Sequence, residues 1–221
     1  MKKPVLFFDL GEVLVANHSN PVTRIGQTLM ARGYTKTIVA EAMKVAETSW
    51  QILPASSGWI STWEQEEKVM TGYYAAVAKS IPDGTPALAA ELFWLCHYVH
   101  HAELYPDVLT SLQELQVHYR LAIISNALPG TNWVIDRLNI RHYFKSIILS
   151  AHVGCAKPDE RIYHIALDST KSIPEECIFV DDQFANVEAA RILGMRGFHL
   201  VRDQDKGQIH TLAELVYALK Q

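Results

Sequence analysis

The chain has 221 residues, room for one large domain or for one domain with a modest insertion, and its 49% hydrophobic against 20% charged composition excludes a disordered chain. A formal charge of -4 without a dense Lys/Arg stripe excludes a nucleic-acid footprint, so a small anionic substrate would need positive charge placed locally. No apolar segment is long enough to span a bilayer, because Glu91, Arg120 and Ser125 interrupt the most apolar regions, and no membrane partner is expected.

Met1-Lys2-Lys3-Pro4 has the basic start of a leader, but the apolar stretch behind it is short and runs into Asp9 with no cleavage pattern, so it reads as a strand. Residues 5–8, Val-Leu-Phe-Phe, are apolar on both sides of their alternation, the habit of a parallel strand buried on both faces. Asp9 then stands at the carboxyl end, where open α/β sheets bind their ligands, and Gly11 is expected to let the backbone turn sharply there.

From Asn20-Pro21, a plausible cap with proline in the first turn, to about residue 102 the pattern is helical. Ile25, Leu29, Val39, Met43 and Ala46 predict two short amphipathic helices broken at Gly33-Tyr34. A loop is expected over 53–58, a capping box at Ser61-Thr62-Trp63-Glu64, punctuation at Pro82 to Pro86, and a last helix over 88–99. Beyond it the style changes. Tyr105-Pro106-Asp107 opens a helix to 115, and strands at 121–124, 146–149, 178–180 and 197–200 alternate with helices at 132–138, from about Pro158, at 185–193 and at 209–219. Such alternation means right-handed parallel crossovers, so the fold class is α/β: a doubly wound, Rossmann-like sheet, with residues 1–16 and 103–221 as core and 17–102 as an inserted helical cap.

The ends of the predicted strands carry Asp9, Ser125 and the pair Asp181-Asp182, and Lys157 lies just ahead of a helix. Carboxylates from two separate strands suit a hard cation such as Mg2+, which takes oxygen ligands and keeps waters that a phosphate can replace. A lysine and a serine hydroxyl can hold phosphoryl oxygens, and an Asp can attack phosphorus to give an aspartyl-phosphate. Each residue alone has a plainer use, as turn, cap or solvated charge. Their joint placement at successive strand ends is what those uses do not predict.

In this arrangement the sequence resembles the haloacid dehalogenase-like (HAD) hydrolase superfamily. Phe8-Asp9-Leu10-Gly11 looks like its first motif, Ile124-Ser125-Asn126 its second, Ala156-Lys157-Pro158-Asp159 its third, and Phe179-Val180-Asp181-Asp182 with Asn186 its fourth. Gly58-x-Ile60-Ser61 and the Asp-Leu-Gly form of the first motif are similar to a bacterial branch that includes hexose-1-phosphate phosphatases. The resemblance implies Asp9 as nucleophile, Ser125 on the phosphate, and Lys157 neutralising charge on the phosphate and on Asp9. It implies Mg2+ held by Asp9, the Gly11 carbonyl and Asp182, with Asp181 supporting and Asn126 lending its backbone amide or side chain to phosphate or substrate. The expected function is Mg2+-dependent hydrolysis of a small phosphomonoester, a sugar phosphate foremost.

The pattern departs from the family at Gly11, where most of its phosphatases carry a second aspartate that moves protons. Glycine transfers none, so help worth about a factor of 100 to 10,000 has to be replaced by a leaving group of low pKa or by a relay, for which Glu12 and His18 are the nearby groups. The departure also keeps open 2-haloacid dehalogenation by the same Asp9, and a protein that binds a phosphorylated ligand or partner without turnover. His97, His100 and His101 sit at helical spacing among Trp94 and Tyr98 with no matching carboxylate or thiol cluster, so zinc is not expected. Trp50, Trp59 and Trp63 are the aromatic faces available to a sugar ring, Arg202 with Lys206 reads as a solvated loop, and Cys96, Cys155 and Cys177, scattered and odd in number, fit reduced thiols in a cytoplasm.

Overall fold

The computed structural model describes residues 3–16, 21–202 and 207–220, with the backbone alone for 53–57. The chain divides into two compact units, one of Met1–Ala16, Glu103–Leu128 and Ile135–Gln221, the other of Asn17–Ala102 with Pro129–Val134.

The first unit contains strands β1 (Val5–Phe8), β2 (Val15–Ala16), β3 (Glu103–Leu104), β4 (Arg120–Ser125), β5 (Phe144–Leu149), β6 (Cys177–Asp181) and β7 (Arg196–His199). Five of these form one sheet in the order β5-β4-β1-β6-β7, each neighbouring pair parallel. Parallel strands require crossovers, and the helices Glu160–Thr170 and Phe184–Ile192 supply two of them. The chain winds outward from β1 to β4 and β5, then returns to the other side of β1 for β6 and β7. That reversal opens a crevice at the carboxyl end of β1, the switch point where doubly wound sheets bind ligands. All four residues of β1 are fully buried, as their unbroken apolar run predicts. The short β2 and β3 pair antiparallel, an addition that two residues each could not signal in sequence.

The second unit is helical: Pro21–Ala31, Lys36–Ser57, Trp63–Lys79, Pro86–Cys96 and the single turn Tyr98–His101. Its core gathers Ile25, Leu29, Tyr74, Val77 and Leu92. Trp50 packs against that core, edge-on to Tyr73 at 5.7 Å, so it serves packing rather than presenting a face to a ligand. Three local expectations are corrected. The predicted loop over 53–58 is the end of a helix that runs through Ser57 and stops at Gly58, whose φ of 64° with ψ of -158° is a backbone that glycine alone adopts readily. The capping box uses Thr62 and Gln65, one residue later than predicted: Thr62, with its extended backbone, accepts from the Gln65 amide while the Gln65 side chain reaches back to the cap. The last helix stops at Cys96, where His97 at ψ 130° breaks it before the short turn. Among the described residues no helix is long and apolar enough to cross a membrane.

The segment 129–134, assigned from sequence to the core, groups with the helical unit. The reason is close packing at Gly130, where a Cβ would come within 2.9 Å of Trp63 and Val99 side chains. Its amide donates to Glu66 Oε2 at 2.6 Å, and Trp133 stacks on Trp63 with centroids 4.1 Å apart.

Candidate active site

Parallel ladders deliver the predicted strand-end residues to one edge of the first unit. Asp9 follows β1 and its amide continues the ladder to Val180 O (2.8 Å); Ser125 ends β4, and Asp181 ends β6 with Asp182 next. Asp9, Ser125, Lys157 and Asp181 are buried and Asp182 half-buried. Carboxylate oxygens of Asp9, Asp181 and Asp182 lie within 4.8 Å of one another, a group able to hold a metal ion.

Lys157 enters this group from the loop ahead of the helix Glu160–Thr170. Its ammonium stands 2.8 Å from Asp9 Oδ1 and 2.5 Å from Asp181 Oδ2. The two contacts differ in kind. The bond to Asp181 is aligned, whereas Asp9 Oδ1 lies in ion-pair range but off the hydrogen-bonding direction, a buried oxygen with no aligned donor. Asp181 accepts three bonds in all, its other oxygen taking those from the Gln183 amide (2.8 Å) and Asn186 Nδ2 (3.0 Å). It is therefore the carboxylate most committed to holding Lys157 in place.

Charge in the group does not balance. Fully ionised, three carboxylates and one ammonium would carry two negative charges in a largely dry setting, and the acids answer by holding protons more tightly. Burial raises the Asp182 pKa, and the charges of Asp9 and Asp181 add to it, to about 7. Burial also raises that of Asp181, against the pull of Lys157. Burial works to lower the Lys157 value, but the neighbouring Asp9 and Asp181 outweigh it and keep the ammonium charged. A divalent cation offsets such an excess and prefers these oxygen donors, so the residues present fit one.

Asn126 is placed differently from the expectation of a substrate-binding side chain. Its amide donates to Lys157 O (2.8 Å) and accepts from Lys157 N (2.7 Å), so both ends of the side chain hold the lysine loop. Gly11 is not among the residues with positive φ; the left-handed residue of the turn is Glu12, at φ 57°. Glu12 Oε2 accepts from Tyr105 OH at 2.6 Å, and His18 lies outside the described residues, as does Lys206. The Tyr105 pKa is raised by burial first, then by Glu12, with Asp182 adding to it. Arg202, expected as a solvated loop residue, is mostly buried and paired with Asp107. Tyr105, Asp107 and Arg202 were not legible as a set, because they are close only in the folded chain. His97 stacks on Phe93 and lies edge-on to His100 at 6.3 Å, His100 lies against Trp94, and His101 Nε2 meets the Cys96 carbonyl.

A doubly wound sheet whose switch point gathers carboxylates from two strands beside a buried lysine has the arrangement of a hydrolase site. The family model of haloacid dehalogenase-like hydrolases matches residues 4–194, and the chain belongs to that family. Among curated proteins it is 30% identical over 118 residues to a glyceraldehyde 3-phosphate phosphatase of Methanopyrus kandleri, covering 51% of each chain. The chain spans about half, or less, of the length of the curated relatives it matches. Among solved structures it shares its fold with the HAD-hydrolase YfnB of Bacillus subtilis bound to magnesium (TM-score 0.65, 14% identity, 100% of both chains). It shares it equally with a 2-haloacid dehalogenase of Pseudomonas syringae pv. Tomato DC3000 (TM-score 0.63, 19% identity, 100% of both chains).

Proposed function

We propose that the chain is a Mg2+-dependent phosphatase of small phosphomonoesters, sugar phosphates foremost, working through an aspartyl-phosphate on Asp9. The observation that carries this reading is the crowding of three carboxylates around one charged lysine, with Asp9 Oδ1 a buried oxygen that has no aligned hydrogen-bond donor. A dehalogenase that draws in a carboxylated substrate without metal is poorly served by that crowding. The phosphatase relatives support the same choice.

In this reading Asp9, the Gly11 carbonyl and Asp182 hold Mg2+, which when bound supplies positive charge to the phosphoryl oxygens. Ser125 and the Asn126 amide hold the phosphate, and Lys157, fixed by Asp181 and by the Asn126 side chain, neutralises charge on it and on Asp9. An Asp9 oxygen attacks phosphorus, the ester P–O bond breaks, and the leaving oxygen takes a proton from water. Water then attacks the aspartyl-phosphate, releasing inorganic phosphate and restoring the carboxylate. Because Gly11 offers no proton, leaving groups of low pKa are favoured, such as the anomeric oxygen of a sugar 1-phosphate or the carboxyl of an acyl phosphate.

The test is phosphate release from sugar 1-phosphates, sugar 6-phosphates and acetyl phosphate, with Mg2+ and with chelator, in wild type and Asp9→Asn. Release that needs both Mg2+ and Asp9 and favours the 1-phosphates or acetyl phosphate is expected. Halide release from 2-haloacids with no phosphate release from any ester would transfer the assignment to dehalogenation. Tight phosphate-ester binding with no turnover of any substrate would transfer it to a binding role.

A further inference from the structure

We propose that Tyr105 and Arg202 are positioning residues for the cation site, holding the turn after Asp9 through Glu12 and Val13; the proposal rests on the Mg2+-dependent reading above. Glu12 adopts φ 57°, a left-handed backbone that a residue with a Cβ keeps only where its surroundings impose it. Three contacts impose it here. Glu12 N donates to Val15 O (2.8 Å), Tyr105 OH donates to Glu12 Oε2 (2.6 Å), and Arg202 Nη2 donates to Val13 O (2.5 Å).

Tyr105 and Arg202 are in turn fixed to each other and to the body of their unit. The guanidinium carbon lies 4.1 Å from the Tyr105 ring centroid, within cation–π range. Arg202 Nη1 reaches both Asp107 oxygens at 2.8 Å, and Asp107 Oδ2 accepts from the Leu212 amide at 2.7 Å. The Arg202 side chain is 14% exposed and that of Asp107 21%, so water competes little with these bonds. Three separate stretches of chain are thus tied together behind one turn.

That turn carries Gly11, whose carbonyl is a ligand in the proposed cation site and which has no side chain to anchor itself. A cation that demands near-ideal octahedral geometry is sensitive to where such a carbonyl points. Glu12 is already an acceptor for a short bond from Tyr105, which assigns it to holding the turn and not to carrying protons.

The experiment is calorimetric titration of the full chain with Mg2+ alone, in wild type, Tyr105→Phe and Glu12→Gln, alongside the Mg2+ half-saturation of phosphate release and Tm in chelator. Tyr105→Phe is expected to weaken Mg2+ about tenfold, about 1.4 kcal/mol, in the titration and in the half-saturation alike, with kcat at saturating Mg2+ nearly kept. Glu12→Gln retains an acceptor oxygen for Tyr105 and is expected to lose about threefold or less. If Tyr105→Phe does not fold, Glu12→Ala severs the same bond from the half-buried turn and should weaken Mg2+ by the same factor. Wild-type Mg2+ affinity in the variant that cuts the bond overturns the proposal and leaves the phosphatase reading standing. A collapse of kcat in Glu12→Gln at saturating Mg2+ overturns it in favour of Glu12 as proton carrier. A wild-type chain that binds no Mg2+ overturns both together.

Discussion

Glu66 in the helical unit and Asp9 in the α/β unit are both carboxylates withdrawn from water, and their surroundings follow opposite rules. Glu66 is alone in its acidity. Tyr98 OH donates to one oxygen at 2.8 Å and the Gly130 amide to the other at 2.6 Å. His97 lies beside the same carboxylate, with Nε2 3.4 Å from Glu66 Oε1. Donors therefore outnumber carboxylates. Around Asp9 the count is reversed, with three carboxylates sharing one ammonium and an oxygen that no donor addresses squarely. A buried acid with its donors in place is architecture, whereas one with excess charge is a site awaiting a ligand.

The largest effect that could break this contrast is at Asp9, the proposed nucleophile. Asp9→Asn should lower phosphate release at least about a thousandfold. It should also leave Tm in chelator equal to or above that of wild type, because the substitution removes one of the repelling charges. A large loss of stability would instead make Asp9 structural, like Glu66.

Next in size is Asp182. Its folded-state pKa of about 7 lies above the ordinary 3.8, so without cation the folded chain holds that proton more tightly than the unfolded chain does. The sign follows. This group's stabilising contribution is present at low pH and is lost as pH rises from near 3.8 through about 7, and Mg2+ should restore stability on the alkaline side. Asp182→Asn should flatten that part of the pH dependence of Tm in chelator and reduce the rise in Tm on adding Mg2+. Equal Mg2+ stabilisation in the variant would remove Asp182 from the ligand set.

The smallest effect on chemistry and a visible one on stability belongs to Glu66→Gln. Glutamine keeps an acceptor oxygen for the Gly130 amide but turns its NH2 to Tyr98, whose hydroxyl loses the carboxylate and has only Thr131 Oγ1 at 3.4 Å in its place, a cost of about 1 kcal/mol and a Tm loss of a few degrees. Mg2+ titration should be unchanged within about twofold. A selective loss of Mg2+ affinity with Tm kept would join the two clusters functionally and end the contrast.

Much of the α/β unit was legible before folding, because a buried parallel strand announces itself as an unbroken apolar run and its carboxyl end is where chemistry collects. Residues 5–8, followed by Asp9, are the clearest case. Helix ends were less legible: the helix that runs through Ser57 passes Pro54, a residue whose local preference argues against it, and the capping box uses Thr62 where the spacing pointed to Ser61. Asn126 reads in sequence as lending its backbone amide or its side chain to a ligand, and only coordinates show that the side chain is committed to the Lys157 backbone.

By itself the sequence determined the family pattern and the short stretches that carry charge: Asp9, Ser125, Lys157 and Asp181-Asp182 each lie beside a strand or helix boundary that local periodicity marks. Tertiary structure alone decided which acids are satisfied, that the strained turn residue is Glu12 and not Gly11, that 129–134 belongs with the helices, and that Tyr105, Asp107 and Arg202 meet at that turn. The physical reason is range. Periodicity and turn preference act over a few residues, whereas donor counts, burial and charge balance are sums over neighbours that the chain brings together from nearly 200 positions apart, as Val13 and Arg202 are, at a separation of 189.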